Sequence, residues 1–349
     1  MSGTGKIFGN NGLIVTGIFI LLSYPLFYFS YKFCLPEMGG MDYYSYRYLY
    51  DGWKFGEVAS PFNMRLISSG CIYLMNQAGF CYNTETIFAA FHPDLSLQVY
   101  FNAVLFNYLC VVATCLVIYR ILLKWFGNPV YSFLGGCLYL LGFGTLFFSL
   151  KPMSDSCGIL LVAMSLYFYL QKSYWILPVF LLSVLQREYI FIIFGVVACV
   201  DLYFSRNRYH GILLIVSVLC FALYYVLRKT LFFTPQFEFQ TSPVTFMQSL
   251  LAPDIELLSF FKQTILISNI LLTYFLVVLY KKANSIPFNK THLITVLLLL
   301  AQVILMSIMA RFGNNAGRYF YFTSPILIFY LFAELKPLVS RHIHFSDHV

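Results

Sequence analysis

Charged side chains are scarce in this chain of 349 residues, because Asp, Glu, Lys and Arg together make up only 10% of it. Soluble domains carry about 25% charged residues, so this composition does not suit a soluble surface. Hydrophobic residues reach 60%, aromatic residues reach 20%, and the mean hydropathy is +0.76. The composition therefore predicts an all-α membrane protein, because apolar chains cross bilayers mainly as helices.

Sequence patterns for nucleotide and metal sites are missing as well. The chain has no Gly-rich phosphate loop, no His and Cys residues at metal-ligand spacing and no Ser-His-Asp set. Basic runs with interleaved aromatic residues are also missing, so no nucleic-acid partner is expected. Most of the nine cysteines lie in apolar runs and form no disulfide framework, which leaves Cys71 and Cys81 as one candidate pair.

What the chain has instead is a series of long apolar runs. About 20 apolar residues cross a bilayer as a helix, and we predict about ten such spans within one integral membrane domain, residues 1–349. The predicted spans are 13–33, 98–119, 130–150, 157–171, 174–186, 189–204, 211–227, 263–280, 292–310 and 319–335. The expected architecture is a polytopic helical bundle.

Loop charge sets the expected orientation of these spans. With the N-terminus in the cytoplasm, half of the 22 basic residues but only three of the 14 acidic residues fall on the inner side. The whole net charge of +8 then lies inside, as the positive-inside rule requires. We expect a multi-pass protein with both termini in the cytoplasm. A bacterial inner membrane fits this pattern, and so does an endoplasmic reticulum membrane with a luminal site.

Two connections on the predicted outer side are long, residues 34–97 and 228–262. Apolar residues recur in the first at near-helical spacing, which predicts an interfacial helix that roofs a cavity between the spans. These residues are Phe62, Leu66, Ile67, Ile72, Leu74 and Met75. Because the cytoplasmic connections are short, we expect the functional site on the outer face.

An acid and several tyrosines follow the first span directly. Asp42 is a candidate general base, and the alternative is an ordinary solvated loop acid. A carboxyl group at a membrane boundary is partly dehydrated, so we expect a pKa raised towards the working pH. Tyr43, Tyr44 and Tyr46 follow it, and one interpretation of them is an interfacial aromatic belt.

Ionisable residues also occur at the predicted outer ends of spans. These are Asp155 after Lys151, the adjacent pair Arg187 and Glu188, and Arg318. Ionisable groups near hydrocarbon are costly and usually face a polar cavity or a partner, so together they indicate a site for an anionic ligand. Simpler interpretations are a helix cap at Asp155, an ion pair between Arg187 and Glu188, and an Arg318 that reaches lipid headgroups.

This combination resembles the class C membrane glycosyltransferases, which take sugar from a polyprenyl-phosphate carrier outside the cytoplasm. Gly40-Met-Asp42-Tyr-Tyr lies where members carry acid in the first outer loop, and Ser60-Pro-Phe-Asn-Met-Arg65 is similar to a Pro-x-x-x-Arg-type stretch. Lys151-Pro-Met-Ser-Asp155 resembles their second outer-loop acid, and Gln186-Arg187-Glu188 resembles an Arg-Glu pair of some members. Position 42 has one acid where members carry a pair, which leaves the use of a divalent metal open.

The resemblance implies a reaction and roles for these residues. A sugar would pass from the polyprenyl-phosphate donor to a hydroxyl of a glycan, lipid or protein acceptor, with Asp42 as the catalytic base. Guanidinium and ammonium groups would hold the donor phosphate, and the implied ligands are Arg187, Arg318, Arg65 and Lys151. The implied supporting or sugar-binding residues are Glu188, Asp155, Tyr43, Tyr44 and Tyr46. Glu188 would orient Arg187.

Three other functions share parts of this pattern. A polysaccharide polymerase or ligase uses the same kind of donor with a growing chain as acceptor. A flippase or transporter for lipid-linked saccharides also needs intramembrane charge, but such proteins often show internal repeats, and residues 34–97 have no counterpart in the second half. A structural membrane subunit would tolerate substitution of Asp42 and Arg187.

Overall fold

Helices form nearly all of the described structure. The computed structural model describes residues 8–39, 42–232, 269–309 and 316–346, and no strand occurs among them. Fourteen α-helices follow one another through these ranges, and we number them in chain order. The prediction of an all-α chain is therefore confirmed for the described residues.

The helices differ widely in length. The first seven are α1 (Phe8–Phe33), α2 (Asp42–Gly52), α3 (Leu66–Gln77), α4 (Ile87–Phe91), α5 (Leu97–Phe126), α6 (Pro129–Leu140) and α7 (Asp155–Leu170). The others are α8 (Ile176–Val184), α9 (Tyr189–Ser205), α10 (Arg208–Thr230), α11 (Asn269–Ala283), α12 (Lys290–Met309), α13 (Ala316–Tyr321) and α14 (Ser324–Ser346). A π-helical turn, Thr145–Ser149, lies between α6 and α7.

Three of the described helices are long and apolar enough to cross a membrane: Gly12–Phe33 within α1, Leu97–Phe126 and Arg208–Thr230. They match three of the predicted spans, and they support a membrane protein. Helix α5 is the central one, because 61% of its apolar window is buried inside the protein, against 11% for α1 and 28% for α10. Four further apolar helices among the described residues, α6, α7, α9 and part of α12, are shorter.

The predicted span 130–150 is not one continuous helix. Helix α6 covers 12 residues, or about 18 Å, and ends at Leu140. The chain then turns at Leu141 and Gly142, and at Gly144, directly before the π-helical turn, a Cβ atom would lie 2.3 Å from the ring of Tyr321. The absence of a side chain at Gly144 therefore allows the start of the π-helical turn to pack closely against Tyr321.

The predicted span 319–335 is also interrupted. Helix α13 ends at Tyr321 and α14 begins at Ser324. The Thr323 hydroxyl donates to the carbonyl of Phe320 at 2.7 Å, and the Thr323 carbonyl accepts from the amide of Ile326 at 3.0 Å. Because of this break, Arg318 stands on a short helix of its own.

The break is held in place by the π-helical turn. The Tyr321 hydroxyl lies 2.7 Å from the Thr145 hydroxyl and 2.9 Å from the Ser149 hydroxyl, and all three side chains are buried. Non-helical backbone inside a membrane protein is tolerated where protein covers it. The two interrupted segments therefore support each other.

The first long connection contains the predicted helix. Helix α3 covers most of the apolar pattern, with Ile72 buried and Leu74 66% exposed. The amide of Leu66 donates to the carbonyl of Leu185 at 2.9 Å, which ties the start of α3 to the end of α8. Cys71 and Cys81 in this connection are both free thiols. Of the second long connection, only residues 228–232 are described.

An aromatic cluster fixes α2 against α5. Tyr43 packs edge-on against Phe88 and Tyr100, with ring centroids 6.1 and 6.0 Å apart. Phe88 and Tyr100 stack face to face at 4.0 Å, and all three side chains are buried. The Tyr100 hydroxyl also donates to the carbonyl of Cys34 at 2.8 Å. This packing fixes the orientation of α2, and with it the position of Asp42 at the start of that helix.

Candidate functional site

Asp155 is the centre of a buried charge cluster. Its carboxylate accepts two bonds from Arg318, from Nε at 2.6 Å and from Nη2 at 3.1 Å. It also accepts a bond from Nη2 of Arg187. The Asp155 side chain is fully buried, whereas the exposed fractions of the Arg187 and Arg318 side chains are 7% and 10%. One carboxylate thus joins the first residue of α7, the α8–α9 link and helix α13.

Asp42 joins the same cluster from the start of α2. Its Oδ2 atom accepts a bond from Nη1 of Arg318 at 2.6 Å, and 17% of its side chain is exposed. Burial alone would raise the pKa of Asp42, but the Arg318 guanidinium outweighs burial and holds that pKa below its ordinary value. The expectation of a raised pKa was wrong for this arrangement, because the sequence did not reveal the arginine beside the carboxyl group.

Arg187 has a second set of contacts beside Asp155. Its Nη2 atom donates to the Ser154 hydroxyl at 2.8 Å, and its guanidinium lies 5.7 Å from the ring centre of Tyr189 and 5.6 Å from that of Phe322. Gly158 on α7 leaves room for it, because a Cβ atom there would lie 2.9 Å from Cγ of Arg187. Aromatic faces and the adjacent helix therefore fix the orientation of this cation.

Glu188 does not orient Arg187, contrary to expectation, because it binds Arg65. Nη1 of Arg65 donates to Oε2 of Glu188 at 2.7 Å and to the carbonyl of Gln186 at 2.7 Å. Burial would raise the pKa of Glu188, but the Arg65 guanidinium lowers it below its ordinary value. Arg187 and Glu188 are neighbours in sequence, yet each binds a partner from a different segment.

Gln186 also belongs to the candidate site, although the sequence assigned no role to it. Its Nε2 atom donates to the carbonyl of Ser154 at 2.9 Å and to the Ser68 hydroxyl at 3.1 Å, and its Oε1 atom accepts from the amide of Ser68 at 3.0 Å. It thus joins α3 to the start of α7. The available signal was a polar residue next to Arg187 at the junction of two apolar runs, but Gln186 carries no charge.

The capping interpretation of Asp155 was wrong in its detail. Ser154 occupies the N-cap position of α7 but makes no side-chain capping bond, and Asp155 is the first helical residue. The Ser154 hydroxyl donates to the Tyr46 hydroxyl at 2.9 Å, and the Asp155 carboxylate binds guanidinium groups. An acid in the first turn still interacts favourably with the helix dipole.

The predicted tyrosines have separate roles. Tyr43 and Tyr46 are buried, with 1% and 0% exposed, so their faces pack against protein and are not free for a sugar ring. The Tyr44 hydroxyl donates to the carboxylate of Glu37, which also lies 2.9 Å from Nε2 of His92. Only Tyr46 has a bond that reaches the charge cluster, through Ser154.

The charge cluster is electrically balanced. Three guanidinium groups, those of Arg65, Arg187 and Arg318, are opposed by the three carboxylates of Asp42, Asp155 and Glu188. The Nε atoms of Arg65 and Arg187 are nevertheless buried without a hydrogen-bond partner among the described residues. A buried polar atom without a partner is uncommon in a native structure and calls for an explanation, such as a bound ligand or ion.

Lys151 is a buried cation that precedes Asp155 by four positions in the sequence. Only 3% of the residue is exposed, and its side chain makes no hydrogen bond or ion pair with the described residues. Its backbone is fixed, because the Asn107 amide donates to the carbonyl of Lys151 and to that of Met153, the latter at 2.8 Å. The three predicted arginines thus have carboxylate partners, and Lys151 does not.

Most of the predicted residues therefore form one connected group, and the exceptions are Tyr43, Tyr44 and the side chain of Lys151. Asp42, Asp155, Arg187 and Arg318 are in direct contact, whereas Tyr43 and Tyr44 belong to other contacts of the first connection. Comparison of the chain with protein-family models, with curated proteins and with solved structures finds no match.

Proposed function

We propose that this chain is a multi-pass membrane glycosyltransferase, which moves a sugar from a polyprenyl-phosphate donor to an acceptor hydroxyl. One observation carries the proposal: three buried arginines bind three acids at the ends of apolar helices, and a buried lysine without an anionic partner among the described residues lies four positions before one of these acids in the sequence. Cations in such a place suit a lipid phosphate, whose charge lies at the membrane boundary. The acceptor is a glycan, a lipid or a protein.

The proposed membrane arrangement has about ten spans, with both termini in the cytoplasm and the charge cluster on the outer face. Three long apolar helices support a membrane location, and the distribution of the basic residues supports the orientation. The shorter helices α7 and α9 both begin at the cluster. Their first residues would therefore line a polar cavity near the membrane surface. The Phe- and Tyr-rich spans suit a bacterial inner membrane.

The donor phosphate would first bind to the guanidinium of Arg318. This guanidinium is shared between Asp42 and Asp155, and Asp42 is the more exposed of the two acids. A phosphate group that takes the Nη1 bond would release Asp42 from Arg318 and would thereby raise the pKa of Asp42. The donor would in this way convert a neutralised carboxylate into a base.

The transfer step then follows from ordinary chemistry. The acceptor oxygen forms a bond to the anomeric carbon of the sugar, and the bond from that carbon to the phosphate oxygen breaks. The electron pair leaves with polyprenyl phosphate, and the proton of the acceptor hydroxyl passes to a carboxylate oxygen of Asp42. Arg318 and Arg187 stabilise the charge that develops on the leaving phosphate.

Lys151 supplies the charge that the arginines lack. Because Arg65, Arg187 and Arg318 already face carboxylates, a phosphate that binds to them alone would leave the site with net negative charge. An ammonium group without an anionic partner among the described residues offsets that charge. Lys151 is therefore a further phosphate ligand in this proposal, because it carries the compensating charge.

A divalent metal does not fit the two closest carboxylates. Asp42 and Asp155 both bind Arg318, so they do not present a free pair of oxygen ligands. The described residues also contain no group of three or more His, Cys, Asp or Glu side chains that could hold a metal ion.

The test is transfer of labelled sugar from polyprenyl-phosphate donors in proteoliposomes. Asp42→Asn is expected to lower the transfer rate about 100-fold or more, the usual contribution of a catalytic base. Glu85→Gln is the matched control, because it removes an exposed carboxylate of the same connection outside the charge cluster. A single added sugar indicates a transferase, and a growing product indicates a polymerase or ligase.

Undiminished transfer by a folded Asp42→Asn protein would remove Asp42 from the mechanism. Failure of the wild type to transfer sugar from any of the donors would contradict the transferase itself.

A further inference from the structure

Two tight turns lie together at the far ends of α7 and α9, away from the charge cluster. One is residues 171–175 between α7 and α8, and the other is residues 206–207 between α9 and α10. The Tyr209 hydroxyl donates to the carbonyl of Ser173 at 3.3 Å, and the rings of Tyr209 and Tyr174 lie 5.6 Å apart. Both helices begin at the charge cluster and α7 is about 24 Å long, so the surface formed by these turns is separate from the cluster.

The two turns and the first residue of α10 carry three cations. Lys172, Arg206 and Arg208 are all exposed, and none of them forms an ion pair with the described residues. One acid precedes the second turn, Asp201 near the end of α9, and its carboxylate accepts a bond from the Tyr169 hydroxyl. Three positive charges thus accompany one negative charge that the protein itself binds, so the surface attracts anions.

General rules explain the sign of these charges only in part. Helix dipoles favour cations at the C-terminal ends of α7 and α9, where Lys172 and Arg206 lie. Arg208 is the first residue of α10, where the dipole disfavours a cation. The positive-inside rule favours all three, but it does not account for the open cavity and the apolar face beside them.

An open cavity of about 530 Å³ lies at the first turn and is lined by residues 172–175. Tyr174 and Trp175 are exposed there, and 69% of Trp175 is accessible. Tyr203 and Phe204 at the end of α9 are exposed as well. Exposed aromatic rings at the ends of apolar helices are typical of the level of lipid headgroups. The cavity therefore presents a cation and apolar rings to the same ligand.

Helix α10 extends this surface with an apolar face. At about 100° per residue, Arg208, Ile212 and Ile215 lie within about 60° of one another around the helix axis, and Leu219 lies between them. The three apolar side chains are exposed. From Arg208 to Leu219 the helix rises about 17 Å, close to half of the roughly 30 Å hydrocarbon thickness of a bilayer. An acyl chain that starts beside Arg208 would therefore follow this face through one leaflet.

The ligand that fits both parts is an anion with an apolar chain. A free phosphate ion would bind the cations but would leave the exposed rings and the α10 face uncovered. A zwitterionic phospholipid brings an ammonium group, which the net positive charge disfavours. A phospholipid of net negative charge suits both parts, and the proposed orientation places this surface at the cytoplasmic leaflet, where anionic lipids attract basic segments.

We propose that the turns of residues 171–175 and 206–207, together with the exposed face of α10, bind one phospholipid of net negative charge. Lys172, Arg206 and Arg208 bind its headgroup, and the α10 face covers one of its acyl chains. The inference requires a membrane location but not sugar transfer, so it goes beyond the proposed transferase and stands or falls separately from it.

Trp175 allows a direct test, because the chain contains only three tryptophans. Trp53→Phe combined with Trp125→Phe leaves Trp175 as the single tryptophan of the full-length protein, which is studied in a neutral detergent. Brominated phosphatidylglycerol quenches tryptophan on contact. It is expected to quench Trp175 saturably at a concentration about tenfold lower than brominated phosphatidylcholine requires. An excess of inorganic phosphate is expected not to displace it.

Charge substitutions in this background test the headgroup contacts. Lys172→Gln combined with Arg208→Gln is expected to raise the half-saturating concentration of phosphatidylglycerol about tenfold or more, because each basic residue near a lipid surface contributes about fivefold. Arg120→Gln combined with Lys282→Gln is the matched control, since it removes two exposed cations from the same predicted side of the membrane. The control is expected to bind as tightly as the protein without charge substitutions.

Native mass spectrometry of the wild type covers the case in which tryptophan replacement damages the fold. It is expected to detect one retained phosphatidylglycerol per protein and no retained phosphatidylcholine. Equal quenching by the two brominated lipids, displacement by inorganic phosphate, or equal affinity of the two double charge variants would overturn the proposal. Retention of both lipids to the same extent by the wild type would overturn it as well.

Discussion

At the scale of single residues, two carboxylates share one arginine but have different surroundings. Asp155 is fully buried and binds two guanidinium groups, whereas Asp42 is partly exposed and binds one. Removal of Asp155 therefore leaves Arg187 without a carboxylate partner and Arg318 with Asp42 alone, whereas removal of Asp42 leaves both arginines bound to Asp155. We interpret Asp155 as the residue that holds the cluster together and Asp42 as the one that is free to react.

This difference predicts unequal losses of stability. Asp155→Asn is expected to lower the free energy of unfolding by about 3–5 kcal/mol, the usual result of breaking a buried ion pair from one side. Asp42→Asn is expected to cost clearly less. Thermal unfolding of both variants in the same detergent measures the difference, and a larger Tm loss for Asp42→Asn would contradict the assignment.

The lowered pKa of Asp42 predicts a pH dependence. A carboxyl group with a depressed pKa in the folded state contributes stability that is present above the unfolded value and is lost as pH falls through the folded value. The Tm difference between the wild type and Asp42→Asn should therefore stay constant from about pH 8 to pH 5 and shrink only below about pH 4. A difference that already shrinks between about pH 7 and pH 5 would instead indicate a raised pKa.

The sequence identified all six charged residues of the cluster but not their pairing. Arg65 and Glu188 are 123 positions apart, and Arg318 and Asp155 are 163 positions apart. A local pattern carries no information about such contacts. Glu188 was therefore assigned to its neighbour Arg187, and the pKa of Asp42 was expected to move in the wrong direction.

At the scale of elements, hydropathy predicted continuous helices best. Helices α1, α5 and α10 match predicted spans, because each is one uninterrupted apolar run. The spans 130–150 and 319–335 are not continuous helices, because average hydropathy does not detect breaks in the backbone such as those at Gly142 and Thr323. Both breaks depend on contacts with each other, which no single run of sequence reveals.

The contact between the two broken segments predicts the effect of one methyl group. Gly144→Ala would place Cβ 2.3 Å from the Tyr321 ring, so we expect a loss of about 1–3 kcal/mol from overpacking. Tyr321 belongs to the same short helix as Arg318, so sugar transfer should fall as well. Gly17→Ala is the control, because nothing lies within 4 Å of its Cβ position. Equal Tm values for the two variants would contradict the packing argument.

At the scale of the whole molecule, two buried charge groups lie at positions that the predicted orientation assigns to opposite faces. The outer one is the cluster around Asp155. The other is the pair of Lys281 and Glu334, which is buried between α11 and α14 and is assigned to the cytoplasmic side. A carboxylate and an ammonium that bind each other at the helix ends suit a structural role there, because both charges are compensated.

The proposed orientation predicts which thiols react from outside the cell. Cys71 and Cys81 are free and exposed in the first long connection, so a membrane-impermeant maleimide should label them in intact cells. A variant with both residues replaced by Ser is the control and should lose that label. Labelling that appears only after the membrane is opened would show the reverse orientation.

The central claim is that the cluster around Asp155 holds a lipid phosphate, and direct binding of radiolabelled polyprenyl phosphate to the protein in nanodiscs tests it. We predict saturable binding that unlabelled polyprenyl phosphate displaces and polyprenol does not. Lys151→Gln should weaken it about tenfold, whereas Lys32→Gln, which changes a lysine outside the cluster, should leave it unchanged. Equal competition by polyprenol, or unchanged affinity in Lys151→Gln, would contradict the claim.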